Sequence, residues 1–187
     1  MKKLIGSLAL AAMIFACSAP KKEFTPVYSK ADFEKEVNGK KTTLFTLKND
    51  GGITVTLTNY GAKIVSIFAP DKDGNIEDVV LGYKSIDGYV TGDAGQGAVV
   101  GPYANRIANG QFEIDGQTYQ LPVNNHKACL HSGPGSFYRQ VYDAKEIQTA
   151  DGPAVEFTLQ SSDGQWGFPG NKTVKVTYTL TKDNGLK

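Results

Sequence analysis

From Lys41 onward, apolar and polar residues alternate in short runs broken by glycine-bearing turns. In "ITVTLTNYG", Ile53, Val55 and Leu57 alternate with threonines, which is the period of a half-buried strand. "TTLFTLKN", ahead of Asp50-Gly51-Gly52, supplies its hairpin partner. "AKIVSIFAPDKDGNIEDVVLGY" gives another strand, a turn at Asp73-Gly74-Asn75, and a third strand ending in Gly82-Tyr83. "KSIDGYVTGDAGQG" has no period and reads as loop. "QFEID" and "QTYQL", joined through Asp115-Gly116, form a hairpin. "QVYDAKEIQ" and "AVEFTLQS" flank Asp151-Gly152-Pro153, and in "KTVKVTYTLT" the residues Val174, Val176, Tyr178 and Leu180 share one face. With no internal repeat and no useful amphipathic helix, the pattern predicts an all-β fold, an antiparallel β-sandwich or part of one. Lys182-Asp183-Asn184-Gly185 signals a further hairpin, yet only Leu186 and Lys187 follow it. The expectation is therefore a portion of a longer sandwich.

The chain before this region follows different rules. Lys2 and Lys3 precede the apolar run "LIGSLALAAMIFA", which is too short to span a bilayer. "IFAC" resembles a bacterial lipobox. That implies a signal peptide over 1–16, cleavage before Cys17 and lipidation of its thiol. An ordinary cleaved secretory peptide and a tethering helix are the other readings. Residues 17–40 then read as the lipidated cysteine and a polar tether, and 41–187 as the β domain. The expected location is outside the cytoplasm, anchored to a membrane on its periplasmic side. Ser18 resembles the sorting pattern of outer-membrane lipoproteins. Lipoproteins carry more than one acyl chain, enough for stable attachment. Once Cys17 is set aside, Cys129 has no disulfide partner and reads as a small buried hydrophobe.

Charge narrows the choice of partners. The 20 Lys+Arg against 19 Asp+Glu leave a formal net charge of +1, which argues against nucleic-acid binding and supplies no basic face for a membrane. HExxH, P-loop and GxSxG patterns are missing, and His126 and His131 are too isolated to make a metal site. No metal or cofactor is expected.

Three irregular stretches carry the remaining chemistry: "GPYANRIANG", "NNHKACLHSGPGSF" and "SDGQWGFPG". Sugar binding needs planar polar groups that fork onto adjacent hydroxyls, and Asn105 with Arg106 can supply such a fork. The residues alone leave other readings open. Arg106 can pair with a structural carboxylate, and His131 can cap a turn. Trp166 reads as core rather than as a stacking platform.

"DVVLGYKSIDGYVTGDAGQGAVVGPYANRIANGQFEIDGQTYQL", "LHSG" with the following "SFYRQVY", and "DGQWGFPGNKTVKVTYTL" resemble, in order, the N-terminal half of the aldose 1-epimerase (galactose mutarotase) family. The resemblance runs from about Leu44 to Lys187. It implies a large antiparallel β-sandwich, the galactose mutarotase-like supersandwich, of which this chain is an N-terminal portion. It also implies a sugar substrate held in an open cleft. By position, Asn105, Arg106 and His131 resemble the family's sugar-contacting residues, with His131 an auxiliary near the ring oxygen. Pro102 stands where the family usually has a second arginine, and Ser132 where glycine is usual. The implied reaction interconverts α and β anomers of hexoses such as galactose and glucose. An acid protonates the ring oxygen and a base takes the proton of the anomeric hydroxyl, opening the ring. The family's base, a glutamate, and its principal acid, a second histidine, belong to the C-terminal half and have no counterpart here. The competing functional readings are a non-catalytic carbohydrate-binding β-sandwich lipoprotein and a structural envelope lipoprotein.

Overall fold

Threonine-alternating strands make the first sheet. The computed structural model describes residues 28–92 and 95–187, and the expected leader, Cys17 and the start of the tether lie outside the described residues. A short ribbon pairs β1 (Glu36–Val37) with β2 (Lys40–Lys41). Next, β3 (Leu44–Lys48), β4 (Thr54–Thr58), β5 (Lys63–Pro70) and β6 (Ile76–Asp78) form an antiparallel sheet in that order. Thr56 pairs with Ser66 but Leu57 with Ile64, so Val65 is an extra residue, a β-bulge that sharpens the local twist. A second antiparallel sheet runs β11 (Asp143–Gln148), β12 (Pro153–Ser161) and β13 (Lys172–Thr179).

The two sheets are the layers of a sandwich. Leu47, Val55 and Leu57 of the first meet Val155, Phe157 and Leu159 of the second in one buried cluster, with Val174, Val176 and Tyr178 packed against it. Each fully buried side chain of this kind stabilises by about 1.5–3 kcal/mol. Every residue of β4 is buried, so its sheet is covered on both faces.

The second cover corrects two expectations. Residues 28–40, expected within a polar tether, belong to the fold. A single 3-10 turn, Lys30–Phe33, drives Phe33 to full burial. Its ring lies 6.3 Å from that of Tyr28 and 6.2 Å from that of Tyr89. Charged residues make this segment look like a linker, but Phe33 anchors it. The expected loop "KSIDGYVTGDAGQG" contains α1 (Ile86–Thr91), whose Ile86 and Tyr89 join the same cluster as Phe33, Leu44 and Val65. One turn and a half with a glycine inside is too short to register as a helical period. Lys63 is fully buried. Its ammonium lies 5.1 Å from the centre of the Tyr138 ring. The Tyr60 ring is 5.4 Å away, and the Tyr89 ring 5.6 Å. This cation–π setting ties α1 to the loop after His131.

The third expected strand is shorter than "NIEDVVLGY" suggests. The Asp78 carboxylate accepts from the Ile67 and Val80 amides, 3.1 Å each, and the chain leaves the sheet there. Val79 and Leu81 end up 67% and 85% exposed. At the other end, Leu180 bridges Leu186, while Thr179 and Lys187 exchange backbone hydrogen bonds of 2.9 and 3.0 Å across a turn holding Asn184 at φ 68°.

Candidate functional site

Two three-residue strands hold Arg106 and are flanked by Asn105 and His131. β7 (Arg106–Ala108) pairs with β10 (Ala128–Leu130), setting Arg106 opposite Leu130 and Ile107 opposite Cys129. Between them in sequence lies the expected hairpin of β8 (Gln111–Ile114) and β9 (Gln117–Gln120). The stretches read as loops around Arg106 and before His131 are thus partly strand, too short for alternation to reveal. Beneath this ladder Leu121, Cys129 and Phe168 form a small core with Ile107 and Phe112. Cys129 is buried there as expected, and burial pushes its thiol pKa up, away from reactivity.

The ladder ends in a reciprocal contact. The His131 N–H donates to the Asn105 carbonyl (2.8 Å), and the Asn105 N–H donates to His131 Nδ1 (3.0 Å). An Nδ1 that accepts carries no proton, so Nε2 bears the single ring proton and is the donor turned away from the backbone. Asn105 and His131 both take left-handed φ, 65° and 50°, which swings their side chains off the strand line.

Arg106 is held by amides alone. Its Nε donates to Asn125 Oδ1 (3.0 Å) and its Nη1 to Asn105 Oδ1 (3.1 Å). Among the described residues no ion pair joins Arg106 to a carboxylate, so the reading of a structural ion pair does not hold. The two asparagines orient an exposed guanidinium without neutralising it. That is the state a hydroxyl- or anion-bearing ligand requires.

Asn125 was not singled out by sequence reasoning. The neighbouring Asn124 also positions the site, accepting from the Leu130 N–H (2.7 Å) and donating to the Leu130 carbonyl (3.1 Å). The signal was the Asn-Asn pair before His126, which reads as ordinary turn chemistry. His126 does occupy such a turn, at φ 51°.

Ser132 has φ 64° and ψ 17°. It thus occupies the left-handed region without being glycine. Its Oγ accepts from the Tyr103 N–H (2.8 Å) and donates to the Tyr103 carbonyl (3.0 Å), tying the two halves of the site together. Pro102 is exposed and follows a cis peptide bond. A backbone hydrogen bond from Phe137 to the Gly101 carbonyl (2.9 Å) fastens the segment to the main core, in which Phe137 is buried.

Trp166 is 42% exposed, so it is not core. It sits in a 3-10 turn, Gln165–Gly167, at φ 56°, with its indole against Gly135. Among the described residues no group of three or more His, Cys, Asp or Glu is placed to hold a metal ion.

Known proteins resemble this chain in family and in fold. The family profile described as Aldose 1-epimerase matches residues 43–187. The chain is 44% identical over 144 residues to an aldose 1-epimerase of Haemophilus influenzae, covering 77% of this chain and 41% of that protein. It is 39% identical over 149 residues to the aldose 1-epimerase of Escherichia coli K12, covering 80% and 42%. The chain thus spans about two fifths of the length of the curated relatives it matches. Among solved structures, a galactose 1-epimerase from Lactobacillus acidophilus superposes with a TM-score of 0.72 at 29% identity, over 81% of this chain and 44% of that one. An aldose epimerase homologue from C. elegans gives 0.72 at 32%, over 78% and 44%. A family profile that matches most of the chain, and a shared galactose-mutarotase-like β-sandwich, lead to one conclusion: the chain belongs to the aldose 1-epimerase family.

Proposed function

We propose that this chain is the sugar-holding part of an aldose 1-epimerase, which interconverts the α and β anomers of hexoses such as galactose and glucose. The carrying observation is the cluster of Asn105, Arg106 and His131, in which an un-neutralised guanidinium and an outward Nε2–H sit side by side on one short ladder. Arg106 and the Asn105 amide fork onto adjacent hydroxyls. The His131 Nε2–H reaches toward the ring-oxygen side and stabilises charge that builds there as the ring opens. This reading assigns the proton-transfer pair to other parts of a whole enzyme, as the family resemblance implies. A non-catalytic carbohydrate-binding sandwich needs the same cluster and is the reading that the test separates.

The test uses freshly dissolved α-D-galactose. The 187-residue chain binds it, as read by saturation-transfer NMR, without speeding mutarotation in a polarimeter. Placed in a full-length parent, Arg106→Ala weakens binding, since a hydroxyl fork holds ground and transition states alike. His131→Ala also lowers turnover. Losing a charge-assisted donor costs about 1.5–3 kcal/mol, or roughly ten- to hundred-fold in kcat/KM. A full-length parent indifferent to both substitutions sinks the assignment of the site, and one inactive on every aldose leaves the binding-module reading.

Export with a lipid anchor at Cys17, on the periplasmic side and by Ser18 in the outer membrane, belongs to the same proposal. It rests on the residues of 1–18 alone.

A further inference from the structure

Three Asn-Gly pairs occur in the chain, at 38–39, 109–110 and 184–185. Such a pair carries a latent reaction, because glycine puts the least hindered backbone nitrogen beside an asparagine side-chain amide. The fold treats the three unequally. Gly110 is buried, and its N–H donates to the Ile107 carbonyl (3.1 Å). The Gly110 carbonyl accepts from the Leu121 N–H (2.7 Å), so the residue is held from both sides. The Gly185 N–H donates to the Thr181 hydroxyl (2.9 Å), and the Asn184 Oδ1 accepts from the Asn49 amide (2.8 Å). Asn38 and Gly39 are both exposed, at φ 53° and 73°, and form the two-residue turn between β1 and β2. Among the described residues, neither the Asn38 side-chain amide nor the Gly39 N–H is hydrogen-bonded. A Cβ on Gly39 would meet nothing within 4 Å, so the space around it is open.

The ribbon behind this turn has two residues per strand, too few to be stable without support. Its base has support. The Thr42 hydroxyl donates to the Phe33 carbonyl (2.7 Å), and the Thr42 N–H donates to the Lys35 carbonyl (2.8 Å). The tip therefore opens without unseating Phe33, and local opening of this kind lies at the low end of the free-energy scale. We propose that Asn38-Gly39 is a site of spontaneous deamidation, selected by the fold over the other two pairs. The Gly39 nitrogen attacks the Asn38 Cγ. An N–Cγ bond forms, the Cγ–Nδ2 bond breaks, and ammonia leaves with the proton of the Gly39 N–H. Water then opens the cyclic imide at either carbonyl, giving aspartate or its β-linked isomer at position 38. Either product adds a negative charge and cancels the formal net charge of +1. The β-linked isomer also adds a methylene to the main chain, which mismatches the Val37–Lys40 pair. Lys40 reaches Asp143 of the second sheet at 3.0 Å, so the contact between ribbon and sandwich loosens as the protein ages. The inference is independent of the sugar reading.

The 187-residue chain is held in warm, mildly alkaline buffer, with and without denaturing urea. Peptides spanning each Asn-Gly pair are followed by mass spectrometry. Exchange of ammonia for water raises a peptide's mass, which separates this reaction from isomerisation at the Asp-Gly pairs of the chain. In buffer, the peptide holding Asn38 is expected to convert about tenfold faster than those holding Asn109 and Asn184, the scale of one hydrogen bond that must open first. In urea the three rates converge, because the selection resides in the fold. Asn38→Ser removes the conversion at this position and leaves the other two rates unchanged. Equal rates in buffer, faster conversion at Asn109 or Asn184, or a preference for Asn38 that survives urea overturns the proposal.

Discussion

Ser132 shows how one side chain balances two opposed demands. Its left-handed backbone costs roughly 1–2 kcal/mol without glycine, while its hydroxyl closes two hydrogen bonds on the Tyr103 peptide groups. Ser132→Gly trades one for the other and is expected to leave stability within about 1 kcal/mol. Ser132→Ala keeps the strain and loses both bonds, at a cost of about 1–3 kcal/mol. Urea denaturation of the two variants measures the contrast, and equal destabilisation would dismiss the compensation argument. Asn105, Arg106 and His131 stood out in the sequence as polar side chains among small neighbours, with their roles supplied only by the family resemblance. Asn125 did not stand out, since its bond to Arg106 spans 19 residues and exists only once β7 and β10 align. Trp166 was misjudged because its exposure depends on Gly135, whose proximity no local pattern encodes.

At the level of elements, Asp78 joins the N-terminal segment to the first sheet. One carboxylate oxygen accepts from Ile67 and Val80, and the other from the Tyr28 hydroxyl at 3.0 Å. Burial first, then this hydrogen bond to an anion, raises the Tyr28 pKa from 10.0 to about 12. The folded state therefore favours the neutral phenol. That contribution is complete below the ordinary value of 10.0 and is lost as pH rises through about 12. Tyr28→Phe is expected to flatten the fall of thermal stability with pH across this alkaline window. Identical slopes for variant and unaltered chain would show that the contact contributes nothing. Longer strands such as β4, β5, β12 and β13 were legible because period-two alternation over five or more residues leaves few other solutions. β7, β10 and α1 were not, since three to six residues are too few to show a period and tertiary contacts decide them. The segment at Phe33 was hidden by its lysines and glutamates, whose charged ends stay in water while one ring is buried.

For the molecule as a whole, the proposed anchor at Cys17 would set its reach. From Cys17 to Tyr28 the chain extends over at most roughly 40 Å at full stretch. A lipidated protein would therefore work close to its membrane. Cys17→Ala is expected to abolish labelling by radioactive palmitate and to release the protein from the membrane fraction. Labelling that survives the substitution rules out the anchor. The sandwich itself is assembled from distant partners, with β3 against β12 in one core. The cluster of Asn105, Arg106 and His131 is built differently. Asn105 meets His131 across 26 residues and Tyr103 meets Ser132 across 29, and a single ladder with one hairpin inside it closes the segment. From outside the stretch, Phe168 completes the core beneath the ladder and Phe137 fastens it to the main sandwich. The hydrogen bonds that orient the three side chains nevertheless all lie within residues 103–132. Substitutions that alter how Asn105, Arg106 and His131 are held therefore concentrate in one contiguous stretch, whereas the main core draws its partners from the length of the chain.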